Sequence, residues 1–115
     1  MKEKLNIRKL KAGEEMQVSR LCKRCIKEIN SKDMTKKQAQ FLSDFFSVKN
    51  IRDSLKETKI YVASLKNKIV ATGSLHEGYI RSVFVNPSYH KKGFGAKLVG
   101  CLEKILKKTG YSSVF

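Results

Sequence analysis

The sequence predicts a single domain of the α/β (α+β) class, with a mostly antiparallel sheet flanked by helices. Apolar and polar residues alternate near the amino terminus, and β-branched and aromatic residues fill the middle of the chain, as in strands. Three other stretches carry apolar residues at helical spacing. Because 115 residues suffice for one core of two layers, we assign residues 1–115 to one domain with the order β-α-α-β-β-β-α-β.

The first half of the chain predicts one strand and two helices. Residues 5–11 alternate, and from Glu14 an apolar stripe follows the helical period through Val18, Leu21, Cys22, Cys25, Ile26 and Ile29. A second helix begins at Thr35, with Gln38 completing a capping box. Its apolar face contains Phe41, Leu42, Phe45 and Phe46. We expect most of these residues to pack in the core and one of them to reach a pocket. A short helical piece over residues 51–55 follows.

The middle of the chain predicts an antiparallel meander of three strands, over residues 59–65, 69–77 and 79–86. Tight turns at residues 66–68 and at Gly78 connect them. Because Pro87 has no amide hydrogen for a sheet, the third strand should stop at Val85 or Asn86.

The last part of the chain predicts a helix and the start of a strand. Apolar residues recur at Leu98, Cys101, Leu102 and Ile105, and Gly110 ends this helix. The final strand begins in residues 111–115.

The charge is strongly unbalanced, with 25 Lys and Arg against 10 Asp and Glu and a net charge of +15. This excess favours an acidic partner, either a nucleic acid, an anionic membrane or a phosphorylated small molecule, although scattered solvated lysines would produce it too. No apolar run approaches the roughly 18 to 20 residues that span a bilayer, and the first residues lack a signal-peptide core. We therefore expect a cytoplasmic protein with no membrane partner.

The three cysteines are expected to be structural. Cys22 and Cys25 lie on the apolar stripe about two turns inside their helix, where a redox pair would lack the stabilisation that a helix N-terminus gives a thiolate. The spacing of Cys101, His76 and His90 does not complete a zinc site. We therefore expect core packing and no metal.

The stretch "NPSYHKKGFGAKLVG", residues 86–100, combines glycine and positive charge at the start of a helix. Unpaired amides at a helix start bind phosphate, and glycine lets the phosphate approach the backbone. Lys91, Lys92 and Lys97 add charge. The P-loop pattern is absent, and the dinucleotide fingerprint fails because Leu98 stands where its third glycine belongs.

This stretch resembles the central motif of the GNAT acyltransferase superfamily, in which a strand ends in V-x-P and a Q/R-x-x-G-x-G/A loop caps the next helix. Val85, Pro87, Gly93 and Gly95 match, while His90 stands where the family usually has Gln or Arg. The meander and the preceding strand with two helices are similar as well. The resemblance covers essentially the whole chain, which corresponds to the first three quarters of a family member and lacks the C-terminal part of the fold.

The resemblance implies acetyl-CoA as co-substrate. Its diphosphate would lie on the amides that open the last helix, with Ala96 starting the helix proper. Its pantetheine arm would lie along the strand that ends in V-x-P, facing residues 112–115. The implied cofactor-binding residues are Val83, Phe84, Val85, His90, Lys91, Lys92, Gly93, Phe94, Gly95 and Ala96.

The resemblance also implies an N-acetyltransferase that lets a primary amine attack directly in a ternary complex. Family members often place a glutamate on the strand before V-x-P as the base, but Tyr79 and Arg81 hold the outward positions here. Glu77 and His76, just upstream, are the nearest candidates for the catalytic base. In family members a tyrosine usually protonates the leaving thiolate, and this tyrosine belongs to the C-terminal part of the fold, which the resemblance does not cover.

The short carboxyl end has three explanations: a fragment, a natural truncation that only binds cofactor, and completion by another chain. The edge of the strand ending at Phe115 would suit a homodimer. Alternative functions are a non-catalytic acyl-CoA-binding fragment and a small basic nucleic-acid-binding module. We expect no nucleic-acid partner, because most aromatic residues lie on helical faces rather than among lysines on an exposed strand.

Overall fold

Four strands form one antiparallel sheet. In a computed structural model, which describes residues 5–28, 34–90 and 92–108, the strands are β1 (Asn6–Lys9), β2 (Lys59–Leu65), β3 (Lys68–His76) and β4 (Tyr79–Val85). The helices are α1 (Glu15–Glu28), α2 (Lys36–Phe45), α3 (Val48–Ser54) and α4 (Phe94–Lys108). The strands pair in the order β1-β2-β3-β4. The predicted order is confirmed as far as α4, whereas the predicted stop at Gly110 and the strand in residues 111–115 lie outside the described residues.

The two central strands are buried on both faces, so helices cover the sheet from both sides. Along β2, Ile60 and Val62 face α1 and α3, while Tyr61 and Ala63 face α4, as the period of two requires. The first cluster contains Val18, Leu21, Cys22, Ile51, Ile60, Val62 and Ile69. The second contains Tyr61, Ala63, Ala71, Leu75, Leu98, Leu102 and Leu106. The chain thus builds three layers rather than the expected two.

Both hairpins close with two-residue turns. Lys66 and Asn67 have φ values of 51° and 65°, and Glu77 and Gly78 have values of 48° and 85°. Two successive residues with positive φ are typical of the type I′ turn, whose twist matches that of the strands it joins. The strand predicted to run through Glu77 therefore ends one residue earlier, and Glu77 belongs to the turn.

Helix α1 places both of its cysteines in the interior, as predicted. Burial raises the pKa of the Cys22 thiol to about 12 and that of the Cys25 thiol to about 11. Both thiols are therefore protonated at neutral pH, which suits packing and not metal or redox chemistry. Among the described residues, no group of three or more metal-ligating side chains comes together.

Helix α2 corrects one expectation about the core. Its capping box between Thr35 and Gln38 is present as predicted, but the helix buries none of its residues. Phe41 and Phe45 are 76% and 60% exposed, because α2 lies against α1 instead of the sheet. Only Phe46, just past the helix, packs against the first cluster. None of the helices within the described residues is long and apolar enough to cross a membrane.

An ion pair fixes the connection from β1 to α1. Both guanidinium nitrogens of Arg8 donate to the Glu14 carboxylate at 2.8 Å, and the amide of Lys11 donates to it at 2.8 Å. The hydrogen bond from Arg8, with further help from Lys11, lowers the pKa of Glu14 from 4.5 to about 2. A lowered pKa in the folded state means that the interaction stabilises the fold above about pH 4.5 and is lost as the pH falls towards 2.

We expect Glu14→Gln to lower the free energy of unfolding by about 1 kcal/mol at pH 7, because it removes a two-bond ion pair. The difference from wild type should shrink steadily as the pH falls towards 2, where the wild-type carboxylate is itself protonated. Urea unfolding at several pH values measures it. Glu103→Gln on α4 is the control, and a Glu14→Gln deficit that stays constant with pH would contradict the ion-pair explanation.

Candidate functional site

The backbone after β4 turns sharply before the last helix begins. The amide of Asn86 donates to the carbonyl of Val70 at 2.8 Å, so the strand pairs with β3 up to this residue. Pro87–Tyr89 then form one turn of 3-10 helix, with the Asn86 side chain accepting from the amide of Ser88 at 2.9 Å. The strand ends at Val85, as the position of the proline predicts.

Helix α4 begins two residues earlier than predicted, at Phe94 instead of Ala96. Gly93 precedes it with a φ of 77°, the left-handed region that glycine adopts without strain. The carbonyl of Gly93 accepts from the amide of Lys97 at 3.1 Å, which is the first rung of the helical ladder. The amides of Phe94, Gly95 and Ala96 lie before that rung and have no helical acceptor of their own.

These amides border a groove of about 460 Å³, which we call the α4 groove. It is lined by Val83, Val85, Tyr89, His90, Gly93, Phe94 and Gly95. A side-chain carbon at Gly93 would meet nothing within 4 Å, so this part of the loop stands open. At Gly95 such a carbon would lie 3.2 Å from Cγ2 of Val85, which makes glycine the residue that fits there.

Most of the predicted cofactor-binding residues come together at this groove. Lys92 and Ala96 are exposed beside it, and Lys97 adds a second exposed lysine on the first turn of α4. Phe84 is the exception, because its ring packs at 5.1 Å from the ring of Phe46 on the other face of the sheet. Only its backbone can take part. Lys91, also predicted, lies outside the described residues.

His90 lines the groove but is held by the protein itself. Its Nε2 donates to the carbonyl of Val85 at 2.9 Å, and the thiol of Cys25 donates to the same oxygen at 3.1 Å. The carbonyl at the end of β4 is therefore saturated from both sides. The side chain that replaces the family's usual Gln or Arg fastens the loop to the strand.

A β-bulge in β4 was not foreseen from the sequence. Thr72 pairs with Phe84 and Ser74 with Arg81, so that Gly73 alone stands opposite two residues. Ser82 there has a φ of 53°, which is rare for serine. An isolated glycine inside a strand is a sequence signal for a bulge, and Gly73 could have indicated it.

Residues on either side of the bulge in β4 line different cavities. Arg81 and Ser82 both line a cavity of about 700 Å³, whereas Val83 and Val85 line the α4 groove. We call the larger space the helix-side cavity, since α1, the end of α2 and α3 line it on one side. Residues of β2, β3 and the α3–β2 connection complete its wall. One strand thus borders both spaces within a few residues.

The two predicted catalytic residues are placed differently. His76 lines the helix-side cavity, and its Nδ1 lies 3.2 Å from the carbonyl of Glu57 and 3.4 Å from the hydroxyl of Thr58. In the tautomer that donates from Nδ1 to the carbonyl, Nε2 can accept a proton. Glu77 does not line the cavity: its side chain is 81% exposed, with Oε1 3.9 Å from Nε2 of His76.

Comparison with known proteins identifies the family. A model of the acetyltransferase (GNAT) family matches residues 22–115. The chain belongs to the GNAT family. The resemblance that the glycine loop and the meander indicated is thereby confirmed. A search of curated proteins gave no match.

Solved structures of GNAT proteins share the fold at low sequence identity. PaiA N-acetyltransferase from Thermoplasma acidophilum, in complex with coenzyme A, is 17% identical with a TM-score of 0.82, and the match covers 94% of this chain and 75% of that one. A GCN5-related N-acetyltransferase from Rhodopseudomonas palustris is 18% identical with a TM-score of 0.84, over 96% and 71%. A GNAT acetyltransferase from Brucella melitensis, in complex with acetyl-CoA, is 15% identical with a TM-score of 0.68, over 94% and 71%.

The left-handed glycine of this GNAT loop can be tested against a helical one. Gly93→Ala should destabilise the fold by about 1 kcal/mol, because its φ of 77° disfavours any side chain even where space is open. Gly100→Ala, inside α4 with nothing within 4 Å of the new carbon, should stabilise it by about 0.5–1 kcal/mol. Urea unfolding measures both. A Gly93→Ala variant as stable as the wild type, or more stable, would show that Gly93 does not hold this conformation.

Proposed function

We propose that this chain is an acetyl-CoA-dependent N-acetyltransferase that acts on a primary amine. Membership of the GNAT family supports acetyl transfer in general. The observation that carries the proposal is the α4 groove, where unpaired helix amides, a left-handed glycine and exposed lysines come together beside the end of β4. Acetyl-CoA supplies an acetyl group activated as a thioester.

The residues of the groove fit a diphosphate. The amides of Lys92, Gly93, Phe94, Gly95 and Ala96 would hold it, because donors at a helix start attract anions and the helix dipole adds to that attraction. Lys92 and Lys97 supply positive charge on either side of the glycines. Where Gly93 and Gly95 stand, a larger residue would fill the groove or collide with Val85.

The backbone of β4 fits an extended arm. In the described part of the chain β4 pairs only with β3, so its second edge can donate and accept hydrogen bonds. Residues 83–85 would bind the pantetheine as an added strand. Val85 contributes its amide rather than its carbonyl, since that oxygen already accepts from His90 and Cys25.

The helix-side cavity would receive the amine. Arg81 and Ser82 of its wall directly precede Val83 of the α4 groove, so an amine bound there would lie near an acyl group carried by an arm along β4. This arrangement favours direct attack in a ternary complex over a covalent enzyme intermediate. Asp53 and Glu57 in its wall outnumber the one arginine there, Arg81, so the carboxylates would attract a cationic amine.

His76 is the residue that would remove the proton of the amine. Its ring lines the cavity, the carbonyl of Glu57 holds the proton on Nδ1, and Nε2 is left as the acceptor. The carboxylate of Glu77, 3.9 Å from Nε2, would stabilise the charged ring after the transfer. We therefore assign the base to His76 and a supporting role to Glu77.

Gly95→Glu tests the cofactor site. We expect it to weaken coenzyme A binding by at least about a hundredfold, because the new side chain would crowd Val85 and its carboxylate would repel the diphosphate. Isothermal calorimetry at two salt concentrations measures the affinity. Lys104→Gln, further along α4, makes the same change in net charge and should bind coenzyme A as the wild type does.

The same titrations separate the alternatives. Binding of coenzyme A without any transfer to amines would support a non-catalytic binding domain. A steep salt dependence with a nucleic-acid oligomer, together with no heat from coenzyme A, would overturn the proposal in favour of a basic nucleic-acid-binding module.

His76→Gln tests the base. Against a panel of a lysine peptide, a polyamine and an aminoglycoside, we expect the rate of thiol release from acetyl-CoA to fall by about a hundredfold or more for any amine that the wild type accepts. The affinity for coenzyme A should not change, since His76 lies outside the α4 groove. Glu77→Gln should cost less than about tenfold. Equal losses in the two variants would contradict the separate roles.

A further inference from the structure

A cluster of hydrogen bonds ties helix α1 to the turn that borders the α4 groove. Arg24 donates through one terminal nitrogen to Oδ1 of Asn86 and through the other to Oγ of Ser88, both at 3.0 Å. These partners lie 62 and 64 residues further along the chain. Its Nε donates to Oε2 of Glu28, one turn later on the same helix, at 2.5 Å.

The contact with Asn86 reaches a buried part of the fold. Asn86 is only 6% exposed, and its amide donates to the carbonyl of Val70, a buried residue of β3. Its Oδ1 accepts from the amide of Ser88 as well as from Arg24. Arg24 and Ser88 therefore converge on one buried oxygen, and the guanidinium also holds the Ser88 hydroxyl.

The next residue of α1 makes a second attachment. Cys25 donates its thiol hydrogen to the carbonyl of Val85 at 3.1 Å, and His90 donates to the same carbonyl from the other end of the turn. Residues 85–90 are thus held at both ends and in the middle. This segment supplies Val85, Tyr89 and His90 to the wall of the α4 groove.

We propose that Arg24 is a positioning residue for the α4 groove, holding residues 86–88 in the shape that lets the groove take a diphosphate. The inference rests on the proposed function of that groove. Arginine suits the task because its planar fork of donors reaches two acceptors at once, which a lysine ammonium at the end of a flexible stem does not do in fixed geometry. No atom of Arg24 lines the groove, so its effect passes through Asn86 and Ser88.

The test compares coenzyme A binding by variants of the whole chain. Arg24→Gln should weaken binding about tenfold, since two hydrogen bonds from a charged donor are lost. The affinity of Arg24→Lys for coenzyme A should lie between those of the wild type and Arg24→Gln. Ser88→Ala should weaken it about threefold, as it removes one of the bonds without changing α1. Glu28→Gln should have little effect, because the amide oxygen of glutamine can still accept from Nε of Arg24.

Arg20→Gln is the matched control, with the same change of charge on an exposed position of the same helix. Urea unfolding should show that Arg24→Gln remains folded at the binding temperature. Amide hydrogen exchange should accelerate at the hydrogen-bonded amides of Asn86, Ser88, Tyr89 and His90 and not in β2, a pattern that general loss of stability would not give. If Arg24→Gln fails to fold, Ser88→Ala carries the test.

The outcomes separate this inference from the function on which it rests. A wild-type chain that does not bind coenzyme A overturns both. A wild type that binds, with Arg24→Gln and Ser88→Ala binding equally well, overturns the positioning role alone. Equal weakening of coenzyme A binding in Arg20→Gln would also overturn the positioning role, because the loss in Arg24→Gln would then be explained by the change in net charge.

Discussion

Burial of β2 and β3 between two helical layers is the constraint on which the rest of this structure depends. Both strands are enclosed on both faces, so α1 with α3 and α4 must lie on opposite sides of the sheet. That arrangement leaves β4 at the margin of the described sheet, paired with β3 on one edge only. A strand in this position can present its backbone to a ligand while its other edge is fixed in the core.

Because of its bulge, β4 lines both the helix-side cavity and the α4 groove. A regular strand would send alternate side chains to opposite faces throughout, but the bulge at Ser82 shifts the alternation by one residue. Arg81 and Ser82 consequently border the same cavity, and the following valines border the other. Gly73, opposite the bulge, has no side chain and so leaves room for Val83 and for Leu98 and Leu102 of α4.

Helix α1 contacts both the helix-side cavity and the turn that follows β4. Val18 and Cys22 face the helix-side cavity, and one turn later Arg24 and Cys25 bond to the end of β4 and the turn beyond it. The spacing of the two cysteines resembles that of a redox or metal motif. In the structure the Cys22 side chain packs in the core, and the Cys25 thiol donates a hydrogen bond to the carbonyl of Val85. Burial raises both pKa values and thereby disfavours the thiolate form that redox or metal chemistry needs.

Local patterns determined most of the elements of this chain, because capping residues, period and turn residues act over a few positions. Residues close together in the sequence predicted the capping box at Thr35, the end of β4 before Pro87 and the glycines at the start of α4. Tertiary structure alone decided that Phe41 and Phe45 are exposed, that His76 lines a cavity while Glu77 does not, and that Arg24 meets Asn86. Each of these depends on which distant element packs alongside, and an amphipathic period shows that a face is apolar without showing what will cover it.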